Sequence, residues 1–198
     1  MRERKIEIKR KTKETQIELN LNIDGTGECS IDTGIPFMNH MLELLGKHAL
    51  FTLDISAKGD IDVDYHHLVE DLGLVLGDAM NRALGECRGI VRYGFSLLPM
   101  DDALARVAVD LGGRPYLVYS IDNRKRKIRD FDLGLIEHFF RSFVDHSKIN
   151  LHIAQLYGKD PHHAYESVFK GVAHALRMAC AVDARSKNEI PSSKGTIV

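Results

Sequence analysis

The strongest constraint on this chain is that its sequence states one pattern twice. FMNHMLELLGKHALFTLDI, beginning at Phe37, is answered by LIEHFFRSFVDHSKINLHI, beginning at Leu135. His40 aligns with His138, His48 with His146, Leu53 with Leu151 and Ile55 with Ile153, all at an offset of 98. HHLVEDLGLVLGDAM from His66 then matches HHAYESVFKGVAHAL from His162 at an offset of 96, and TQIELNL from Thr15 resembles ARVAVDL from Ala105 at 90. Offsets that hold within elements and drift in loops are what an old duplication leaves behind. Two similar halves are therefore expected, about residues 1–90 and 91–198. Each alone would be marginal, because so short a chain buries too little apolar surface. With no Gly/Ser/Pro-rich linker between them, the halves should pack as a single domain over 1–198.

Both copies read alike. Stretches that alternate apolar with polar residues come first: Ile6 to Ile8 and Ile17 to Ile23 in one, Arg92 to Leu97 and Ala105 to Leu111 in the other. A period of two suits half-buried strands. A helix follows, about Phe37 to Lys47 and Leu133 to Asp145, then a short strand, Phe51 to Ala57 and Asn150 to Leu156. A long amphipathic helix beginning at the double histidine closes each copy. The expected fold class is α+β, an internal duplication in which each half is a small mixed or antiparallel sheet with two helices on one face.

Composition narrows the function classes. A formal net charge of −1 argues neither for nor against a nucleic-acid or membrane partner. Cys29, Cys87 and Cys180 are scattered, with no Cys-x-x-Cys pair, which reads as reduced thiols of a cytoplasmic protein. The opening MRERKIEIKRKTKE has no apolar core for a signal peptide and no run long enough to span a bilayer.

The chemistry concentrates in His66-His67-x-x-Glu70 and His162-His163-x-x-Glu166. Positions four apart share a helix face, so His66 lies with Glu70 and His162 with Glu166. The intervening His67 or His163 points roughly 100° away, as a turn of ~3.6 residues requires. One helix thus offers a His/Glu pair to one ion and a single histidine to another. A twofold-related copy would complete both: His66, Glu70 and His163 for one ion, His162, Glu166 and His67 for the other, with His40 and His138 as fourth ligands. Imidazole plus carboxylate without thiolate suits several divalent ions, and four such ligands on an octahedral Mn²⁺ leave two places for substrate or water. The bland alternative, helix-start histidines making caps and surface contacts, has to explain why the motif recurs at repeat-equivalent places with matching upstream histidines. For the lone His152 and His174 the bland reading stands.

A basic cluster accompanies these motifs. Arg92 in GIVRYG and Arg114 in GGRPY occupy turn-flanked positions from which a guanidinium can grip a phosphate bidentately. Lys170 lies one turn beyond Glu166, and PSSKG places Ser192, Ser193 and Lys194 beside a glycine as an anion nest. Taken alone, each reads better as a solvated charge or an ordinary loop. Arg124-Lys125-Arg126-Lys127 reads as a solvated hairpin tip, since no aromatic residues interleave it for nucleic acid.

FMNHML, HHLVEDLG, PMDDALARVAVDLGGRPYLVY, IEHFFRSF, LHI, HHAYESVFKG and PSSKG together resemble the imidazoleglycerol-phosphate dehydratase family of histidine biosynthesis, nearly end to end. That resemblance implies a lyase with two Mn²⁺ per active site, and trimers assembled into a 24-subunit shell with active sites between subunits. It implies His40, His66, His67, Glu70, His138, His162, His163 and Glu166 as metal ligands, the same eight that the helix-face argument selects. Arg92, Arg114, Lys170, Ser192, Ser193 and Lys194 would hold the phosphate of a small-molecule substrate, with His48 nearby, and neither nucleic acid nor membrane would be a partner. Glu14, His67 and Glu166 would be catalytic, Glu14 as a candidate proton-transfer base. Glu14, His40, His66 and Glu70 would also touch substrate. The implied reaction removes the C2 proton and C3 hydroxyl of a glycerol-phosphate side chain. The substrate's imidazole, as imidazolate, expels hydroxide, and the metals serve as Lewis acids and template.

Two positions depart from the family pattern. Pro36-Phe37-Met38-Asn39 stands where Gly-Phe-Leu-Asp is usual, so Asn39 would give His40 a neutral hydrogen-bond partner. Pro161 precedes the second motif, and proline is benign in a first helical turn. Other readings remain open: a dinuclear metallohydrolase releasing phosphate, a nucleic-acid-binding α+β module, or a metal buffer that leaves Arg92 and Arg114 without a task.

Overall fold

The computed structural model describes residues 4–122, 127–186 and 189–197. In the first half, strands β1 (Lys5–Lys11), β2 (Thr15–Asn22) and β3 (Cys29–Asp32) lead to helix α1 (Pro36–Ala49), strand β4 (Thr52–Gly59) and helix α2 (His66–Leu84). In the second, β5 (Tyr93–Met100), β6 (Ala103–Asp110) and β7 (Tyr116–Ser120) precede a small hairpin, β8 (Lys127–Ile128) and β9 (Phe131–Asp132). Helix α3 (Leu135–Ser147), strand β10 (Asn150–Tyr157) and helix α4 (Pro161–Cys180) follow. The charge run ends on β8, so the expected hairpin tip at Arg124, Lys125 and Arg126 lies outside the described residues.

The sheets repeat each other's topology: β1-β2-β4-β3 in one half, β5-β6-β10-β7 in the other. The last strand in each order, β3 or β7, is parallel to its neighbour and every other pair is antiparallel. Those two parallel edge strands are absent from the sequence reading. Pairing also explains which residues go inside. In β2 and β4 the alternation buries Ile17, Leu19 and Leu21 beside Ala57, Ile55 and Leu53, their register partners.

Helices of the two halves meet over the inner sheet faces. Helix α2 packs on β1 and β2 and α4 on β5 and β6, while α2 also lies on α3 and α1 on α4, across the repeat. One continuous apolar core results, with Phe139, Phe140, Phe169 and Tyr165 among its largest fully buried side chains. Each such side chain contributes about 1.5–3 kcal/mol of burial free energy. The cross-half helices approach closely because Gly73 and Gly77 of α2 face the carbonyls of Phe139 and Phe143; a Cβ on either glycine would sit 2.3 or 2.5 Å from the oxygen. Helices α1 and α3 each end two residues later than expected and are closed by repeat-equivalent residues in the left-handed conformation, Leu50 (φ 59°) and Lys148 (φ 56°). No glycine marks those ends, which is why the sequence did not reveal them.

Candidate functional site

Both double histidines open long helices, and a repeat-equivalent aspartate accepts from the first available amide of each, as the N-cap of α4 and from the residue before the N-cap of α2. Asp64 Oδ1 accepts from the N–H of His66 and Asp160 Oδ1 from that of His162, each at 2.7 Å. Carboxylates thus satisfy free amides at the positive helix end, and the histidine side chains are left for other work. Pro161 occupies the first turn of α4 behind that cap.

The cross-half packing then gathers the motif residues into two repeat-related clusters. Helix α1 delivers His40 to α4, where its ring stacks on His162 at 5.4 Å between centroids. Glu166 Oε1 lies 2.8 Å from His40 Nε2 and 3.1 Å from His162 Nε2. Helix α3 likewise delivers His138 to α2, with ring centroids of His66 and His138 4.7 Å apart and Glu70 Oε2 3.1 Å from His66 Nε2. Among the described residues, His40, His162 and Glu166 bring three potential ligand atoms within 4.8 Å of one another. Two imidazoles and a carboxylate without thiolate form a donor set that fits a divalent ion such as Mn²⁺ or Zn²⁺.

The clusters are not equal. Glu166 is buried, and its Oε2 accepts a 2.5 Å hydrogen bond from Lys170 Nζ. Burial alone would raise the Glu166 pKa, but Lys170, His40 and His162 outweigh it and hold the carboxyl at about 2. The repeat counterpart of Lys170 is Leu74, and Glu70 has half of its side chain in solvent. Lys170 thus pins one carboxylate, and among the described residues nothing equivalent pins the other.

His67 and His163 face elsewhere. His67 Nδ1 lies 2.9 Å from Asp60 Oδ2, and His163 Nδ1 2.8 Å from Asp102 Oδ1. Asp60 and Asp102 respectively raise the two imidazole pKa values, while His163 and the N–H groups of Lys159 and Asp160 hold Asp102 far below the usual carboxylate range. Within this chain His163 therefore does not join His66 and Glu70, nor does His67 join His162 and Glu166. Sequence reasoning missed both aspartates. No spacing rule relates them to the histidines, because one follows β4 and the other turns from β5 to β6.

Glu14 stands exposed on the β1–β2 turn. The turn is tied down on several sides: Thr12 Oγ1 accepts from the N–H of Glu14 and Thr15, and Asp60 N–H donates to the Glu14 carbonyl. Asp71 of α2, next to Glu70, accepts from both Arg10 and Thr15 Oγ1 at 2.5 Å. The Glu14 carboxylate is near enough to His67 to favour the charged imidazole.

The remaining expected anion contacts are distributed. Arg92, at φ 75°, directs its guanidinium to Asp110 (2.7 and 3.2 Å) and to the Pro191 carbonyl (2.7 Å), which anchors the C-terminal segment. In that segment Ser192 Oγ accepts from Lys194 N–H and the Ser192 carbonyl from Gly195 N–H, while Ser193 and Lys194 are exposed. Arg114 is exposed beyond β6. His48 sits by His174, 5.6 Å between ring centroids; burial, His174 and Lys170 lower its pKa. Lys170 and His48 thus border the His40 cluster, and Arg92 and the tail form a second group.

Asn39 overturns one expectation. Its Oδ1 accepts from Thr33 N–H (2.9 Å) and Thr33 Oγ1 (2.5 Å), fastening the turn between β3 and α1, and His40 turns to Glu166 instead. The asparagine braces the loop before α1 rather than orienting an imidazole. All three cysteines are free, and burial pushes the Cys180 thiol up to about 12. No helix among the described residues is long and apolar enough to cross a membrane.

The chain is similar to known proteins over nearly its whole length. Residues 33–176 match the family model described as imidazoleglycerol-phosphate dehydratase. The imidazoleglycerol-phosphate dehydratase of Azorhizobium caulinodans is 52% identical over 194 residues, covering 98% of each chain. The crystal structure of the Staphylococcus aureus imidazoleglycerol-phosphate dehydratase superposes with a TM-score of 0.82 at 36% identity, over 90% of this chain and 99% of that one. The Pyrococcus furiosus structure, in complex with (S)-C348, gives the same TM-score at 33% identity, over 96% and 99%.

Proposed function

The chain belongs to the imidazoleglycerol-phosphate dehydratase family, and we propose that it is a metal-dependent lyase converting D-erythro-imidazole glycerol phosphate to imidazole acetol phosphate in histidine biosynthesis. The observation that carries this reading is the pair of repeat-related clusters, His40–His162–Glu166 and His66–Glu70–His138, each assembled across the two halves.

Each cluster supplies three ligands to one ion, and the outward-facing His67 and His163 supply the fourth ligands to ions held by neighbouring copies. That division makes the working unit a homo-oligomer with active sites between subunits, consistent with a 24-subunit assembly of trimers. The protein works in the cytoplasm on a small phosphate substrate, and residues 1–198 form one domain of two repeats, about 1–90 and 91–198. When bound, two Mn²⁺ ions per active site supply Lewis acidity at the substrate's imidazole ring and a template that fixes it.

The protein's own groups perform the rest. Arg92, Arg114, Lys170, Ser192, Ser193 and Lys194 grip the phosphate, and His48 borders Lys170; contacts so far from the reacting carbons supply orientation. Substrate also lies against Glu14, His40, His66 and Glu70. Ring electrons move outward as the C3–O bond breaks and hydroxide leaves. Glu14 on its braced turn then takes the C2 proton, the C–H electron pair forms the C2=C3 bond as the pair shared between C3 and the ring returns to the ring, and the resulting enol relaxes to the ketone. Glu166, committed to Lys170, His40 and His162, acts by holding rather than by moving a proton.

The test is direct. Purified protein with Mn²⁺ forms imidazole acetol phosphate from imidazole glycerol phosphate, and His67→Ala abolishes the product. Fully metal-loaded protein that makes no ketone overturns the assignment, and release of inorganic phosphate in its place identifies a metallohydrolase.

A further inference from the structure

We infer that Asp60 and Asp102 are positioning residues that hold the imidazoles of His67 and His163 with the proton on Nδ1, leaving Nε2 as the outward-facing donor. The inference rests on the reading of these two histidines as ligands to ions of neighbouring copies. It goes beyond that reading by naming what prepares them.

The carrying observation is a contact made twice from unrelated places. His67 and His163 are repeat-equivalent, at an offset of 96, but Asp60 and Asp102 are not. Asp60 follows β4 and Asp102 lies in the turn from β5 to β6, and each nevertheless presents one carboxylate oxygen to Nδ1, at 2.9 and 2.8 Å. A contact inherited through duplication would come from matching positions. One supplied separately in each half points to a requirement of the imidazole itself.

Backbone hydrogen bonds hold the Asp102 carboxylate directly and, at Asp60, the main chain that carries the carboxylate. Asp102 Oδ2 accepts from the N–H groups of Lys159 (2.6 Å) and Asp160 (3.1 Å), so the turn entering α4 grips the same carboxylate that grips His163. Asp60 N–H donates to the Glu14 carbonyl at 3.0 Å, and its carbonyl accepts from Val63 N–H at 2.8 Å. Asp60 therefore also couples the orientation of His67 to the turn that carries Glu14. His163 Nε2 lies 3.4 Å from Asp101 Oδ2 at the rim of the turn. A carboxylate accepting from Nδ1–H selects the tautomer whose lone pair is on Nε2 and fixes the plane of the ring.

The experiment has two arms on metal-free protein. Mn²⁺ titration, read by the EPR signal of free Mn²⁺, compares wild type with Asp60→Ala, Asp102→Ala, Asp60→Asn and Asp102→Asn, and takes His67→Ala and His163→Ala as the benchmark for a lost ligand. The alanine variants are expected to bind about 10–100-fold more weakly. The asparagine variants, which still accept from Nδ1–H but lack the charge, fall between and serve alone if an alanine variant fails to fold. In the second arm, ¹⁵N solid-state NMR of histidine-labelled protein reads the tautomers. Wild type shows Nδ1–H at His67 and His163, and each alanine variant loses that signal at its own partner, a change that a merely structural role would not produce. Alanine variants that bind Mn²⁺ within twofold of wild type, or Nε2–H tautomers in wild type, overturn the inference. Wild-type protein that binds no Mn²⁺ overturns the ligand reading instead, and the tautomer arm, read without metal, shows which of the two has failed.

Discussion

Gly73→Ala tests the packing that brings the second cluster together. A Cβ at this position would lie 2.3 Å from the Phe139 carbonyl oxygen and 3.1 Å from its carbon, where ordinary contact begins near 3.4 Å. Helices α2 and α3 would have to part by about 1 Å, and both neighbouring atoms are backbone, so no side chain can give way. Overpacking of this kind costs ~1–3 kcal/mol, with the upper end expected for a rigid backbone clash. Alanine's better helix propensity returns about 1 kcal/mol. The net loss is about 2 kcal/mol, or a fall in melting temperature of about 4–8 °C for a chain of this size. Because α2 carries His66 and α3 carries His138, the same displacement also weakens Mn²⁺ binding. Calorimetry of metal-free protein at fixed concentration, with Gly85→Ala as comparison, checks the figure. Gly85 has open space around it and only a positive φ of 56° to strain. A Gly73→Ala protein that melts at or above wild type would refute the close-approach argument.

Other predictions follow from single contacts. In metal-free protein the pKa values of His67 and His163 are raised above 6.5 by Asp60 and Asp102. That stabilisation is fully present below pH 6.5 and is lost as pH rises through the raised values. Melting temperature should therefore fall as pH rises from 6.5 through the raised values, and the Asp60→Asn/Asp102→Asn double variant should flatten the curve. Glu166 works in the opposite sense: its contribution is present above 4.5 and disappears as pH falls toward 2, a loss that urea titrations along the acid limb can follow and Glu166→Gln should remove. Asp71→Ala releases Arg10 and Thr15 and loosens the Glu14 turn. It should lower kcat by on the order of tenfold through misplacement of the base while leaving the Mn²⁺ titration curve unchanged; steady-state kinetics showing an unaltered kcat would count against Glu14 as the base.

Much of this was legible in the sequence because duplication prints every local signal twice. Alternating stretches located β1, β2, β5 and β6, the short strands after the first helix of each copy are β4 and β10, and the HHxxE spacing placed His66 with Glu70 and His162 with Glu166, as the 3.1 Å contacts show. What escaped is what depends on distant partners. Strands β3 and β7 are short edges whose parallel pairing to β4 and β10 is decided by register far along the chain. Leu50 and Lys148 end helices in a conformation usually left to glycine. The asymmetry between Glu70 and Glu166 hinges on Leu74 standing where the second half has Lys170, and its consequence for burial appears only once α1 and α4 are packed. Asn39 illustrates the opposite limit, since adjacency in sequence suggested His40 as its partner and the turn gave it Thr33.

Anomalous diffraction at the manganese edge, on crystals grown with Mn²⁺, bears most directly on the account. It should show two peaks per chain, one against His40, His162 and Glu166 and the other against His66, Glu70 and His138, each approached by the Nε2 of a His67 or His163 from a neighbouring copy. Peaks remote from both glutamates, or none at either, would contradict it.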